Sequence, residues 1–426
     1  MKLITQKLKG FALIMMCCNA YNLYAQDTIH ISLPEAEKQF VQKNLALLAE
    51  KYNIEIAKAA VIQARLYNNP ILALSGNLYD PKEKRAFNMS NATGQYDIAV
   101  QQLISMAGKR NKEVKLAETN TVLSENRFFD LLRTLRFSLR SNFYDMYYLQ
   151  QSIAGYQKQI TALEKLNAAY DNLESKGVVT LKDALRIKSL LYSLMAERTA
   201  LQNQLGDLQS SLQLLIHNNK AWYIADAGKD DFPSQKLHQL TLQGLIDTAY
   251  ANRYDLKLAE NNILYNKQNY SLQKAMARPD ITLGAEFDKR GSFVDNASFL
   301  TLGIGLPFFN RNQGNIKAAK ISIDQSKTQL EQQRQTLEND VQKAYMKLLN
   351  TDKMLLSIDP NFRDQFESLL QGITENFQKK NISLVEFTDF NESYKTSILQ
   401  LNQLQDQRMQ AVEALYFAIG KTLINN

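Results

Sequence analysis

The chain has 426 residues, 45% of them hydrophobic and 22% charged, with a formal net charge of +7. That balance allows a large buried core and excludes a disordered polymer. The basic excess is mild and lacks the dense Lys/Arg runs with interleaved aromatics of a nucleic-acid surface, so no nucleic-acid partner is expected.

The N-terminus reads as a secretory leader over 1–25. "MKLITQKLKG" supplies Lys2, Lys7 and Lys9 without an acid, "FALIMMCCNA" supplies a short apolar run, and Ala25 is a small residue for cleavage. The mature chain is then expected to start at Gln26. The apolar run is shorter than the roughly 20 residues a spanning helix needs. Cys17 and Cys18, the only cysteines, fall inside the leader, so neither disulfides nor thiolate metal sites are expected. No later segment is apolar enough for a transmembrane helix. An exported chain of this kind is either soluble outside the cytoplasm or crosses a membrane as a β-barrel.

Helical spacing runs over 35–66 and stops before Pro70. Two short alternating stretches follow, separated by a polar loop at about 81–94. In the first, Leu72, Leu74 and Leu78 share one face; in the second, Tyr96, Ile98 and Val100 do. Positions 109–176 predict one very long helix, roughly 100 Å at 1.5 Å per residue. Its seam includes Leu132, Leu135, Leu139, Asn142, Met146, Tyr156, Ile160 and Leu163 in the 3-4 alternation of a coiled coil. Gly177 can take the left-handed conformation that ends a helix, Val178–Thr180 make a turn, and 178–217 return as helix.

The order then repeats. The stretch 47–80 resembles 257–288, and "SKGVVTLKDALR" at 175–186 matches "QKKNISLVEFTD" at 378–389 with an offset of 203 residues. The expected organisation is a leader at 1–25, a first repeat at 26–220, a link at 221–237 and a second repeat at 238–426. The link has turn-formers, the only Trp and no helical period. In the second repeat a helix over 240–277 precedes Pro279. Ile281, Leu283, Ala285 and Phe287 then alternate with Thr282, Gly284, Glu286 and Asp288. After a loop at 289–297, Leu300, Leu302, Ile304 and Leu306 alternate with Phe299, Thr301, Gly303 and Gly305. Pro307 and Asn310–Gly314 turn the chain into a helix over 312–379 that Pro360 should kink or break. The second tip has Lys380-Asn381 in place of glycine, where asparagine can adopt the left-handed form less readily. A last helix covers 382–419. Each half thus offers one long helix beside two shorter ones.

Each strand is expected to be about 9–11 residues, the length that crosses a bilayer when tilted. One such hairpin fits a surface ornament on a helical core, whereas two in an exported chain favour a membrane barrel. Four strands cannot close, and an open edge is not tolerated in lipid. Two copies give eight strands with a filled interior; three give twelve, wide enough for a passage. The small and polar inward residues, among them Ser75, Ala99, Gly284 and Gly303, favour a passage. The lipid-facing set is then Leu72, Leu74, Ile98, Val100, Ile281, Leu283, Leu300, Leu302 and Ile304.

"ARPDITLGAEF" followed by "LGIGLPFFNRNQGNIKAAK" resembles the TolC-type outer-membrane efflux family, and "LPFFNRNQG" is especially similar to its heavy-metal and drug efflux (CzcC-like) branch. The resemblance extends through both repeats. It implies a mainly α fold with a membrane β-barrel portion: four β-strands per chain in a twelve-stranded trimeric barrel, continued by long coiled-coil helices forming a periplasmic α-barrel. It implies an outer-membrane location, a periplasmic adaptor and an inner-membrane pump, expected to be of the resistance-nodulation-division type. The function implied is a passive exit duct for small molecules or metal ions. A type I protein-secretion duct and a pore-less coiled-coil scaffold remain as alternatives.

No catalytic constellation is found. His30, His217 and His238 are scattered, and neither an enzyme, a cofactor nor a metal site is expected. Glu386 and Asp389 are three apart and share a helix face. By resemblance they align with carboxylates lining the family's closed periplasmic entrance, with Asp183 and Arg186 at the equivalent places of the first repeat. The tips the resemblance assigns to adaptor contact are Gly177, Val178, Val179 and Thr180, and Lys380, Asn381, Ile382 and Ser383.

Overall fold

The structure, a computed structural model, describes residues 27–219, 221–228, 240–291 and 294–422. The expected leader with its cysteines, the start at Gln26, most of the link and His238 lie outside the described residues.

The first repeat contains β1 (Asp27–Ile31), α1 (Leu33–Lys43), α2 (Leu45–Arg65), β2 (Ile71–Gly76), a two-residue hairpin of β3 (Tyr79–Asp80) and β4 (Arg85–Ala86), β5 (Tyr96–Ile104), α3 (Lys109–Ser175) and α4 (Leu181–Ile216). Then come β6 (Ala221–Ala225), α5 (Leu242–Asn252), α6 (Tyr254–Met276), β7 (Ile281–Asp288), β8 (Ala297–Ile304), α7 (Gln313–Leu356), α8 (Phe362–Gln378) and α9 (Leu384–Ile419). Pro360 sits between α7 and α8, where its missing N–H and its ring stop the helix as expected.

The structure departs from the sequence expectation at several elements. The helices expected over 35–66 and 240–277 are each broken, at Asn44 and at Arg253. Both residues are extended, with φ/ψ of −63°/120° and −73°/122°. The link holds a strand: β6 pairs in parallel with β1, Asp27 opposite Ala221 through Ile31 opposite Ala225. The side chain of Gln209 holds Tyr223 of β6, accepting from its N–H at 3.0 Å and donating to its carbonyl. Strand β2 has only six residues, and Leu78 lies outside it. Gly76 and Asn77 are poor strand formers, and Asn77 instead bonds main chain and side chain of Gln95.

Two compact units cut across the repeats. The first draws on residues up to Asn44, on Ser138–Gln235 and on Asn350–Gln410; the second on Leu45–Phe137, Lys236–Leu349 and residues from Ala411 on. Helices α3, α7 and α9 contribute to both. In the first unit, seam positions Tyr156, Ile160 and Leu163 of α3 are buried with Ile187 and Leu191 of α4, Phe377 of α8 and Phe387 of α9. The core of the second is built from Leu245 and Leu256, Leu337 and Val341 of α7, and Val412, Leu415 and Ile419 of α9. Nearer the sheet, seam positions Leu132 and Leu135 are only half-buried.

Candidate functional site

The two hairpins join into one antiparallel sheet, in the order β2-β5-β7-β8. Its register decides which side chains share a face. Leu72 is opposite Val100 and Leu74 opposite Ile98. Val100 is opposite Ala285 and Ile98 opposite Phe287. Ile281, Leu283 and Ala285 are opposite Ile304, Leu302 and Leu300. All nine residues of the apolar set therefore stand on one face, because directly opposed residues point the same way. Most are exposed, Leu300 at 86%. A sheet face this apolar and this open calls for an apolar covering.

The other face is mixed: Ile71, Leu103 and Phe299 stand on it, but small and polar groups predominate. Asp97 and Asp288 are direct cross-strand partners, and Glu286 lies opposite Ala99. Ser75 donates to Asp97. Gly284 is required by close approach: an added Cβ would meet Thr301 Oγ1 at 2.4 Å and the Val100 carbonyl at 3.1 Å. The outer edges of β2 and β8 have no strand partner among the described residues.

The tips fold alike, 203 residues apart. Gly177 has φ +70°, its N–H bonds the Glu174 carbonyl and Val178 N–H bonds that of Leu173. At the second tip Lys380 has φ +61°, its N–H bonds Phe377 and Asn381 N–H bonds Asn376. Both are Schellman endings. The left-handed residue of the second tip is therefore Lys380, not Asn381, because the helix end sets that position whatever residue occupies it. Beneath the second tip, Phe377 stacks on Phe387 at 4.3 Å and on Tyr170 at 5.7 Å.

Each following helix starts with a cap that uses one of the expected entrance residues. Thr180 Oγ1 accepts from Asp183 N–H at 3.2 Å and donates to the Asp183 carboxylate at 2.7 Å. Ser383 N–H donates to Glu386 at 2.7 Å, and Glu386 N–H donates to Ser383 Oγ at 3.2 Å, a capping box. The bond from the Ser383 main chain holds the Glu386 carboxyl below its ordinary pKa, so it stays ionised. Asp389 and Arg186 are exposed, and among the described residues neither has an ion-pair partner. Val178, at the first tip, is 53% exposed, and Val179 and Ile382 are half-buried.

Sequence reasoning missed two polar clusters. At the α5–α6 break Arg253, 2% exposed, pairs with Asp255 at 2.5 Å and Asp340 at 3.0 Å and donates to the Ala418 carbonyl at 3.3 Å. Asp255 also receives Arg133 at 3.3 Å and Gln333 at 2.8 Å. In the first unit a cavity of about 410 Å³ is lined by Asp145 of α3, Asp207 of α4 and Asp406 of α9. Burial pushes the Asp145 carboxyl up, against hydrogen bonds with Asp406 and Gln410. Among the described residues no group of three or more His, Cys, Asp or Glu is placed to hold a metal, and no helix is long and apolar enough to cross a membrane.

The described chain thus joins a four-stranded sheet, apolar and exposed on one face and open at both edges, to very long helices. The model of the family described as outer membrane efflux protein matches residues 245–421. A membrane protein from Pseudomonas aeruginosa has the same fold, with TM-score 0.72, 17% identity, and 91% of this chain and 92% of that one covered. CusC gives TM-score 0.72, 17% identity and the same coverage. VceC from Vibrio cholerae gives 0.70 and 16%, over 92% of this chain and 97% of that one. The family match covers the second repeat, and the fold of the whole described chain is that of these solved membrane-channel structures. A curated relative from Bos taurus, NEDD8 ultimate buster 1, is 30% identical over 129 residues, 29% of this chain; the match spans 58% of that protein's length.

Proposed function

We propose that three copies of this chain form a passive outer-membrane exit duct, served by a periplasmic adaptor and an inner-membrane pump of the resistance-nodulation-division type. The cargo class is small molecules or metal ions, as in the heavy-metal and drug efflux branch. The observation that carries this reading is the sheet: one face that is apolar but for Gln102 and Ser298, one mixed face rich in small and polar groups, and two open edges. Edges cannot stay open in lipid, so several copies must pair edge to edge, and twelve strands leave a lumen. A pore-less scaffold would leave the apolar face uncovered. Type I protein secretion would use the same duct with a different pump. In this reading Glu386, Asp389, Asp183 and Arg186 ring the periplasmic entrance, and the tips at Gly177–Thr180 and Lys380–Ser383 meet the adaptor.

The test is conductance of the purified protein in planar bilayers. Wild type should conduct with cation preference. The variant E386Q/D389N removes the charges while Gln keeps the capping box, which accepts Glu or Gln. It should assemble normally and lose cation preference, most clearly at about 0.01 M salt, where the Debye length is about 30 Å. Absence of any conductance would sink the duct. Conductance with unchanged selectivity would sink only the acidic entrance.

A further inference from the structure

The turn "LPFFNRNQ" between β8 and α7 is built to hold two phenylalanines in the open. Phe308 is 67% exposed and Phe309 96%. The turn is locked by its own polar side chains. Asn312 N–H bonds Asn310 Oδ1 at 3.0 Å, Arg311 N–H bonds Gln313 Oε1 at 2.8 Å, and Asn315 bonds Asn312 at 2.6 Å. Asn312, at φ +59°, also fastens the turn to Gln273 of α6 with two bonds, at 2.8 and 2.9 Å. A segment this constrained does not collapse to hide its rings, so it presents them to a partner.

The other strand ends on this side are tied to the same rim. Lys109 donates to the Arg278 carbonyl at 2.8 Å and pairs with Asp280 at 2.7 Å. Met106 N–H also reaches Asp280, at 2.8 Å. Arg110 lies over the Tyr67 ring at 3.7 Å, and Tyr67 is 77% exposed. Segments 65–70, 105–112, 277–280 and 305–312 hold six cations, Arg65, Lys109, Arg110, Lys112, Arg278 and Arg311, against one carboxylate, Asp280. Arg110, Lys112, Arg278 and Arg311 have no carboxylate partner among the described residues. At the opposite end of the sheet the charges are mixed, with Asp80, Glu83, Asp288 and Asp295 among Lys82, Lys84, Arg85, Lys289 and Arg290.

We propose that this helix-side rim binds anionic phospholipids, the cations meeting headgroup phosphates and Phe308, Phe309 and Tyr67 lying at the acyl boundary. The proposal rests on the reading that the apolar face of the sheet lies in lipid. Aromatic girdles mark barrel interfaces, and unpaired cations beside one fit a negative headgroup layer, each worth about 1 kcal/mol or roughly fivefold in affinity. The occupant is a headgroup layer at this end, because here six cations face a single carboxylate, whereas the loop end nearly balances five cations with four acids.

The experiment reconstitutes the full-length protein into nanodiscs of phosphatidylcholine with a minor fraction of phosphatidylglycerol and counts retained lipids by native mass spectrometry. Wild type should enrich phosphatidylglycerol. R278S/R311S should lower that enrichment by about 25-fold, from two cations at roughly fivefold each. Bilayer conductance of the same variant should be unchanged, which separates this proposal from the duct itself. R278K/R311K should keep most of the enrichment. No enrichment in wild type, or equal enrichment in wild type and R278S/R311S, would overturn the proposal. F308S/F309S should weaken retention of both lipids while the assembly survives in neutral detergent. If it instead dissociates the assembly in lipid-free detergent, the rings are covered by a second copy, and the lipid assignment is wrong.

Discussion

The helix breaks at Asn44 and Arg253 perform one task with different chemistry. Both residues are buried and extended, and both side chains donate to a main-chain carbonyl near the end of a later helix. Asn44 reaches Leu215 at 2.8 Å, and Arg253 reaches Ala418 at 3.3 Å. Those carbonyls are 203 residues apart, the offset that also relates the two tips. The helices they terminate end alike, at His217 with φ +50° and Gly420 with φ +73°. The geometry therefore needs a donor at the break and does not need a charge. What the charge adds is an ion-pair network: the buried guanidinium holds Asp255 and Asp340, whereas an amide brings no charge to the break.

That difference predicts unequal damage. Arg253→Met removes the main partner of Asp255, which keeps Arg133 and Gln333, and one partner of half-exposed Asp340. As breaking a buried pair on one side costs about 3–5 kcal/mol, the loss should be about 3 kcal/mol. Asn44→Ala removes a neutral donor and should cost about 1–2 kcal/mol. Thermal unfolding of the two purified variants decides it, and equal losses would show that the charge network is ornamental.

Of the two breaks, the Arg253 one should be acid-sensitive. Burial raises the Asp255 carboxyl, but the hydrogen bonds and charge of Arg253, with the charge of Arg133, outweigh it and hold the pKa below the ordinary value. A lowered folded pKa adds stability that is present above the unfolded value of about 4 and is lost as pH falls through the folded value. Asp255→Asn should flatten the loss of stability below about pH 4. Asn44→Ala should leave that slope as in wild type. Parallel acid titrations of melting temperature would show whether the slope belongs to this site.

The smallest effects are expected at the tips, where Gly177 and Lys380 share one backbone conformation. An added Cβ at Gly177 meets nothing within 4 Å, so Gly177→Ala tests the backbone alone and should cost about 1 kcal/mol. Lys380→Gly should gain about 0.5–1 kcal/mol by relieving the same strain. Opposite signs in urea unfolding are the expected result; a destabilised Lys380→Gly would mean the lysine side chain anchors that tip.

Much of this architecture could be read without coordinates because it is written in local periods. Ile281 to Asp288 alternates strictly, and the strand occupies those eight residues. Pro360 and Gly177 punctuate helices by covalent geometry. The breaks at Asn44 and Arg253 carry no such punctuation. They are set by carbonyls 171 and 165 residues away, a separation no local pattern encodes. Strand β6 is five residues in a turn-like link and depends on Gln209 and β1 for its bonds. The caps were readable: Ser383 and Glu386, like Thr180 and Asp183, stand at capping spacing. Their carboxylates drew attention as charges, while the structure also uses them as helix starts. Lys380 took the left-handed position because the register of the helix end selects a site and not a residue type.

The two open edges of the sheet have a genetic consequence. A copy whose β8 edge is blocked still offers an intact β2 edge, so it can enter an assembly and prevent its closure. If three copies assemble as proposed and mix at random, a cell carrying equal amounts of sound and blocked copies would have only about one assembly in eight free of a blocked member. Damage at an edge strand should therefore behave as dominant. Damage that prevents the chain from folding at all removes the copy from the pool and should behave as recessive.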